Sequence, residues 1–516
     1  MSTESRTTKS IKNSYVALIF YFINLILQFF SRKIFLDYLG SEVLGLNTTA
    51  QNLLGFLNIA ELGIGTAVSY NLYKPIFEND KETINDIISI QGWLYRKVAY
   101  IVIIGSCILM LFFPFIFGKA QLPIWYTYGS FVAILISSLL GYFVNYKQII
   151  LSADQKEYKV TYCTKGGTAL KNILQMIAIL FFNEGYVFWM SIEIVSAFII
   201  SWMLNRVIKK EYPWLFPIVN KGRILSKQYP QIITKTKQLF FHKIAGFVLS
   251  QTSSLIIYGY ASLTLVASYG NYMLIILGVS SLMNALLNGI NAGIGNLVAE
   301  GNPQKIKVTF WKVTFVRMWI ASAISFTIYM TGDSFISLWI GNQFILPQSA
   351  FIVLIINAFI MMSRTNDTFL AAYGLFQDIW APIAEATLNL GLSILLGYYW
   401  GLTGILSGVL ISLLIIICSW KPYFLYKKGF KDKLDEYIWK YIKYISTILI
   451  SFFICEKFLR LYVSSLVSSY VEWISYCTLV FFTYALGSIF LFCCVDTHPR
   501  LFITWLYNTF RRKISK

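Results

Sequence analysis

Charge is scarce in this sequence. Of 516 residues, 13% are Asp, Glu, Lys or Arg and 57% are hydrophobic, and the mean hydropathy is +0.62. Soluble domains carry about 25% charged residues, so water is excluded as the solvent for most of this surface. Histidine is nearly absent, with only His242 and His498. There is no P-loop, GxSxG or HExxH, which argues against nucleotide hydrolysis, serine hydrolase chemistry and a zincin site, and so against an enzyme. No TVGYG-type filter or arginine-repeat voltage sensor is present either. The seven cysteines (Cys107, Cys163, Cys418, Cys455, Cys477, Cys493 and Cys494) have neither CxxC nor zinc-ligand spacing, and most sit in apolar blocks as small hydrophobes. No metal or organic cofactor is implied. The net charge of +19 comes without a basic tail interleaved with aromatics, so it does not point to nucleic acid.

What the chain has in abundance is apolar blocks of about 20 residues, the length a helix needs to cross about 30 Å of hydrocarbon. These blocks do not alternate as barrel strands do. The expectation is an all-α polytopic membrane protein with fourteen transmembrane helices, near 14–36, 43–71, 97–117, 126–149, 162–183, 187–207, 239–262, 266–293, 309–332, 347–370, 377–398, 401–420, 442–463 and 471–495. The first block runs on to Leu36 without a small-residue cleavage site, which reads as a membrane helix and not a removed signal. With both termini cytoplasmic, 38 of the 43 basic residues fall on inner segments and adjoining helix ends. Arg32, Lys33, Lys119, Lys457 and Arg460 are the exceptions. That asymmetry supports the even count and the orientation together.

Intervals between the blocks suggest the organisation. Residues 1–207 form an N-lobe of helices 1–6, and 208–238, with Pro213, Pro217 and Pro230, form a cytoplasmic connector. Residues 239–420 form a C-lobe of helices 7–12, and 421–441 a second connector. Helices 13–14 occupy 442–495, followed by a basic cytoplasmic tail, 496–516. Leu62-Gly63-Ile64-Gly65 and Ala292-Gly293-Ile294-Gly295 end the second helix of each lobe, which suggests a parallel repeat.

Polar residues inside the apolar blocks carry the functional signal. At 100° per residue, Asn47, Gln51, Asn58 and Glu61 fall within about 80° of one another on span two, as do Ser281, Asn284, Asn288 and Asn291 on span eight. Gln251, Ser254 and Tyr258 follow one another on span seven. Asn357, Arg364 and Thr368 share a face of span ten with Asp367 at its edge, and Asp378, Glu385 and Asn389 line up on span eleven. Single Asn and Ser residues commonly serve as hydrogen-bonding glue between helices. Charged groups are different, because one at the bilayer centre costs about 2.5–3.5 kcal/mol unless it meets a partner or water. Glu61, Arg364 and Glu385 are therefore candidates for a wet central cavity; a structural ion pair or snorkelling is the plainer alternative. Arg32, Arg317 and Arg364 could meet an anionic headgroup through bidentate guanidinium bonds, with interfacial anchoring the competing reading for Arg32. The candidate headgroup-binding set is Arg32, Arg317, Arg364, Asn47, Gln51, Asn58, Asn284, Asn288 and Asn357. Glu61, Asp367 and Glu385 are candidates for coupling to H+ or Na+, or for ion pairs.

One stretch is specific. Arg32-Lys33-Ile34-Phe35-Leu36-Asp37-Tyr38-Leu39-Gly40, Leu44-Gly45-Leu46-Asn47, Glu61-Leu62-Gly63-Ile64-Gly65-Thr66-Ala67 and Leu72-Tyr73-Lys74-Pro75 resemble the polysaccharide-transport family of lipid-linked oligosaccharide flippases. That family lies within the multidrug/oligosaccharidyl-lipid/polysaccharide exporter superfamily. Lys210-Glu211-Tyr212-Pro213-Trp214-Leu215 looks like a further family feature. Beyond residue 220 the resemblance rests on span count and lobe layout.

The resemblance implies two six-helix lobes around a central cavity and a C-terminal helix pair offering a groove for a polyprenyl tail. It also implies a cargo: an undecaprenyl-pyrophosphate-linked oligosaccharide repeat unit, moved to the outer leaflet of a bacterial cytoplasmic membrane by alternating access for surface polysaccharide biosynthesis. Membrane lipids, and a glycan polymerase or chain-length machinery, are the implied partners. No motif match carries a headgroup role onto Arg32, Arg317 or Arg364 individually. An ion-coupled drug or metabolite antiporter and a non-transporting scaffold for polymerisation enzymes are the alternatives.

Overall fold

In a computed structural model, residues 6–500 are described apart from 62, 119–121, 376, 463–467 and 498, with the side chains of 6–11, 14, 60, 238–239, 241–251, 284–293, 295–296, 299 and 462 left aside. Asn284, Asn288, Asn291, Gln251 and both histidines therefore lie outside the described side chains. The described residues form helices and turns throughout. Contacts divide the chain into two compact units, Met1–Ala267 and Ser268–Lys516.

The first unit opens with α1 (Arg6–Leu57), bent where Gly40 leaves helical geometry (φ 85°, ψ 168°). The bend separates the first two expected spans. A 3-10 turn, Asn58–Glu61, and Gly63 then interrupt the second of them before α2 (Ile64–Glu78). Gly63 has φ 94°, a left-handed conformation that a side chain would strain. Next come α3 (Lys81–Ile116), α4 (Ile124–Phe143), the short α5 (Ile149–Ala153), α6 (Glu157–Phe181) and α7 (Gly185–Glu211). After α8 (Gly222–Gln228), α9 (Pro230–Tyr260) packs in this unit against α1 and α2. Asp80 caps α3, accepting from the Thr83 amide at 3.0 Å and the Thr83 hydroxyl at 2.6 Å.

The Lys210-Glu211-Tyr212 run earns its place at the end of α7. Lys156 and Lys159 both pair with Glu211, and the Tyr212 hydroxyl donates to Asp154 at 2.8 Å. These contacts tie the α7 terminus to the α5–α6 turn. Burial, followed by the neighbouring Asp154 carboxylate, raises the Tyr212 phenol above its ordinary range. Burial opposes charge on Lys156, but its bonds to Asp154 and Glu211 outweigh that and raise it.

The second unit begins within α10 (Leu263–Glu300) and continues through α11 (Pro303–Ile340), α12 (Gln348–Met362), α13 (Thr365–Ala372) and α14 (Trp380–Leu413). α14 breaks at Trp400 and Gly401 into two arms that fold back on each other. The return is very close: a Cβ at Gly408 would stand 2.3 Å from the Ser393 amide nitrogen. Two π-helical stretches, Leu414–Trp420 and Leu425–Phe430, flank α15 (Lys421–Phe424), and α16 (Asp435–Tyr462) and α17 (Tyr470–Val495) end the unit. An aromatic cluster that includes Phe310, Trp311, Tyr437 and Tyr444 fills its core.

Nine helical segments among the described residues are long and apolar enough to cross a membrane. Two of these, Tyr15–Leu57 and Trp380–Phe430, are bent and contain two arms each. α6 and α16 fall short because lysines, and in α16 acidic residues, dilute their hydropathy. The chain is a multi-pass, all-α membrane protein.

Candidate functional site

Each unit holds its own buried polar cluster. In the first, the cluster forms where span two breaks. A helix would have carried Asn58 and Glu61 round at 100° per residue, but a 3-10 turn stacks residues three apart on one side. Asn58 Oδ1 accepts from the Tyr142 hydroxyl at 2.9 Å, and its amide donates to Ser138 at 3.3 Å. Glu61 Oε1 accepts from the Tyr95 hydroxyl at 2.8 Å, and the Tyr95 and Tyr142 rings meet edge to face at 5.5 Å. Glu61 and Asn58 thus belong to one network with α3 and α4.

The rest of the expected stripe on span two divides. Asn47 is buried and accepts from the Tyr186 hydroxyl on α7 at 3.0 Å, whereas Gln51 is exposed. Arg32 donates to the Ala267 carbonyl at 3.3 Å. Lys171, one of the basic residues counted with the inner segments, lies well inside α6. There its ammonium lies 2.8 Å from both carboxylate oxygens of Glu193 on α7, and Gln175 donates to Oε2 at 3.0 Å. A lysine in mid-block was the available signal for this pair.

In the second unit, span ten is also discontinuous. α12 stops at Met362 and α13 starts at Thr365, with Arg364 between them at ψ 64°, so the single helical face expected for Asn357, Arg364 and Thr368 does not exist. The break exposes backbone: the Arg364 carbonyl accepts from Arg317 Nη1 at 3.2 Å. Arg364 Nε donates to Asp367 Oδ2 at 2.6 Å, while Lys421 Nζ reaches Asp367 Oδ1 at 2.5 Å. Lys421 went unnoticed in the sequence because it sits at a connector. On α14, Glu385, Asn389 and Ser393 occupy successive turns and are all almost wholly buried. Ser393 donates to the Ile405 carbonyl at 2.9 Å, and Asn357 to the Leu406 carbonyl at 3.0 Å, binding both to the returning arm. Among the described residues, Glu385 Oε1 and both polar atoms of Asn389 have no hydrogen-bond partner. Buried polar atoms of this kind call for water or an ion. Asp378 precedes α14 and accepts from the Trp420 indole at 3.2 Å.

Beside this cluster lies an apolar groove of about 480 Å³, walled by α11, α12, the Leu414–Trp420 stretch, α16 and α17. Ile352, Ile356, Leu449 and Phe453 line it and are exposed. Ile360 and Cys418, which also line the groove, lie four and three residues before Arg364 and Lys421 in the sequence, so its wall comes close to the cationic cluster. Among the described residues no group of three or more His, Cys, Asp or Glu converges as a metal site.

By sequence, no family profile and no curated protein matches this chain. By structure, the substantial likenesses include these two. A lipid II flippase, MurJ, in an inward closed conformation aligns at 15% identity over 94% of this chain and 100% of its own, with a TM-score of 0.62. An inward-facing multidrug resistance MATE family transporter of the MOP superfamily aligns at 13% identity over 81% of this chain and 99% of its own, with a TM-score of 0.59. The chain has the fold of MOP superfamily transporters.

Proposed function

We propose that this chain is a flippase that carries an undecaprenyl-pyrophosphate-linked oligosaccharide from the cytoplasmic to the outer leaflet of a bacterial membrane by alternating access. One observation carries the reading: an apolar groove lies beside a part-buried cluster in which Arg317, Arg364 and Lys421 outnumber Asp367 and Glu385. An amphiphile with a long apolar tail and an anionic head matches that polarity. The pyrophosphate-sugar head cannot enter hydrocarbon without losing its hydration. Guanidinium and ammonium groups replace that hydration at the head, while the isoprenoid stays in an apolar lining. No covalent bond changes.

Fourteen crossings, the lobe boundaries drawn from the sequence and cytoplasmic termini belong to this proposal, as does work alongside a glycan polymerase or chain-length machinery. The likeness to a lipid II flippase supports it. Of the coupling-ion candidates, Asp367 is already engaged by two cations and Glu61 by Tyr95, which leaves Glu385, with an unpartnered carboxylate oxygen, best placed to take H+ or Na+. The likeness to a multidrug transporter favours a second reading, ion-coupled efflux of a small molecule. Mass analysis of lipid retained by the purified chain separates the two. A polyprenyl-pyrophosphate glycan is expected, and its absence from chain purified out of glycan-producing cells contradicts the flippase reading.

A further inference from the structure

A second cavity, of about 670 Å³, opens in the first unit where the C-terminal end of α2 meets the N-terminal ends of α3 and α9. Its volume is that of a small-molecule site. It lies among the charged helix ends, beyond the apolar stretches, and the polar clusters described above make no use of it.

Three tyrosines line it: Tyr70, Tyr73 and Tyr229. Tyr70 and Tyr73 are 60% and 54% exposed, and their rings stand 6.5 Å apart, edge to face. The Lys235 ammonium sits 3.1 Å from the Tyr70 ring centre, a contact that fixes that ring. Asn71 and Gln231 add amides to the wall. Asn71 commits its NH2 to the Ala67 carbonyl at 2.7 Å, and its Oδ1 takes no part in that bond.

The charged groups in the wall are engaged within it. Lys74 lies 3.8 Å from Glu78, and both Asp80 oxygens are taken up by Thr83. A phosphate would meet two carboxylates against a single lining lysine, and a cation would meet carboxylates already engaged. Flat aromatic faces interspersed with amide and carboxylate groups instead suit a ring with one apolar C–H face and a rim of hydroxyls.

We infer that this cavity binds an uncharged carbohydrate. Resting on the flippase reading, it is the place where the sugars of the lipid-linked glycan dock on the side of assembly, before the headgroup is carried across. The aromatic faces supply contact area and the amides select hydroxyl geometry.

The test uses the full-length chain in a sugar-free detergent, with maltotriose, tri-N-acetylglucosamine and lactose as probes and saturation-transfer NMR as the readout. At least one probe is expected to bind, with affinity falling about tenfold or more in Tyr73→Ala and in Gln231→Ala, two exposed positions whose replacement leaves the fold intact. Binding of none of the three, or binding that neither substitution weakens, overturns the inference. Retention of sugar-free undecaprenyl pyrophosphate is measured on the same samples and is expected to be unchanged by either substitution. Sugar binding without that lipid retention upholds the carbohydrate site and removes the flippase reading. Lipid retention without sugar binding overturns the site alone.

Discussion

At the residue scale, Asp367 is the keystone of the second unit, because one carboxylate serves both Arg364 and Lys421. Removing an anion from between two cations leaves both unpaired in a poorly hydrated place. Asp367→Asn is expected to destabilise the protein by about 2 kcal/mol, with partial exposure lowering the full buried-pair cost. Lys421→Met, which leaves Asp367 still paired with Arg364, should cost less, and thermal melting of the purified variants measures the difference. In the first unit, Tyr95→Phe removes the donor to Glu61 and is expected to cost about 1.5 kcal/mol, the usual loss for a hydrogen bond to a charged group. Glu61, Arg364 and Glu385 stood out in the sequence because charge in an apolar block is anomalous wherever it folds. Tyr95 and Lys421 did not, and Arg317 stood out without its link to the Arg364 carbonyl, because spacing along one helix says nothing about which distant side chain arrives.

At the scale of elements, the breaks matter more than the helices. Block length announced helices, since twenty apolar residues in lipid leave the backbone little choice but helix. The same logic assumes an unbroken helix, and so it misjudged the faces of spans two and ten, where Asn58–Glu61 and Ser363–Arg364 leave regular geometry. Gly63 was a visible cue for the first break, while nothing in Met362-Ser363-Arg364 signals the second. The two arms of α14 depend on small residues for their approach. Gly408→Leu is expected to abolish folded protein, or to destabilise it by on the order of 3 kcal/mol, because the backbone of Ser393 occupies the space. The yield of monodisperse protein reads this out. Leu449→Glu places a charge in the open wall of the groove and should abolish retention of a polyprenyl lipid, whereas Leu449→Ala, which keeps the wall apolar, should largely preserve it.

At the scale of the whole molecule, the sequence announced a polytopic helical protein through scarce charge and long apolar blocks, and the fold shared with MOP superfamily transporters agrees with that expectation. What composition could not supply was the juxtaposition of groove and cations. Ile352, Phe453, Arg364 and Lys421 come from four separate elements, and only packing brings them together. We propose that this juxtaposition serves to carry a lipid-linked glycan across a membrane. Transfer of a fluorescent undecaprenyl-pyrophosphate oligosaccharide between the leaflets of reconstituted vesicles tests it most directly. Protein-dependent transfer that Arg364→Ala slows tenfold or more, about 1.4 kcal/mol in the barrier, is the predicted result. Folded protein that moves no lipid, or transfer indifferent to Arg364→Ala, would contradict it.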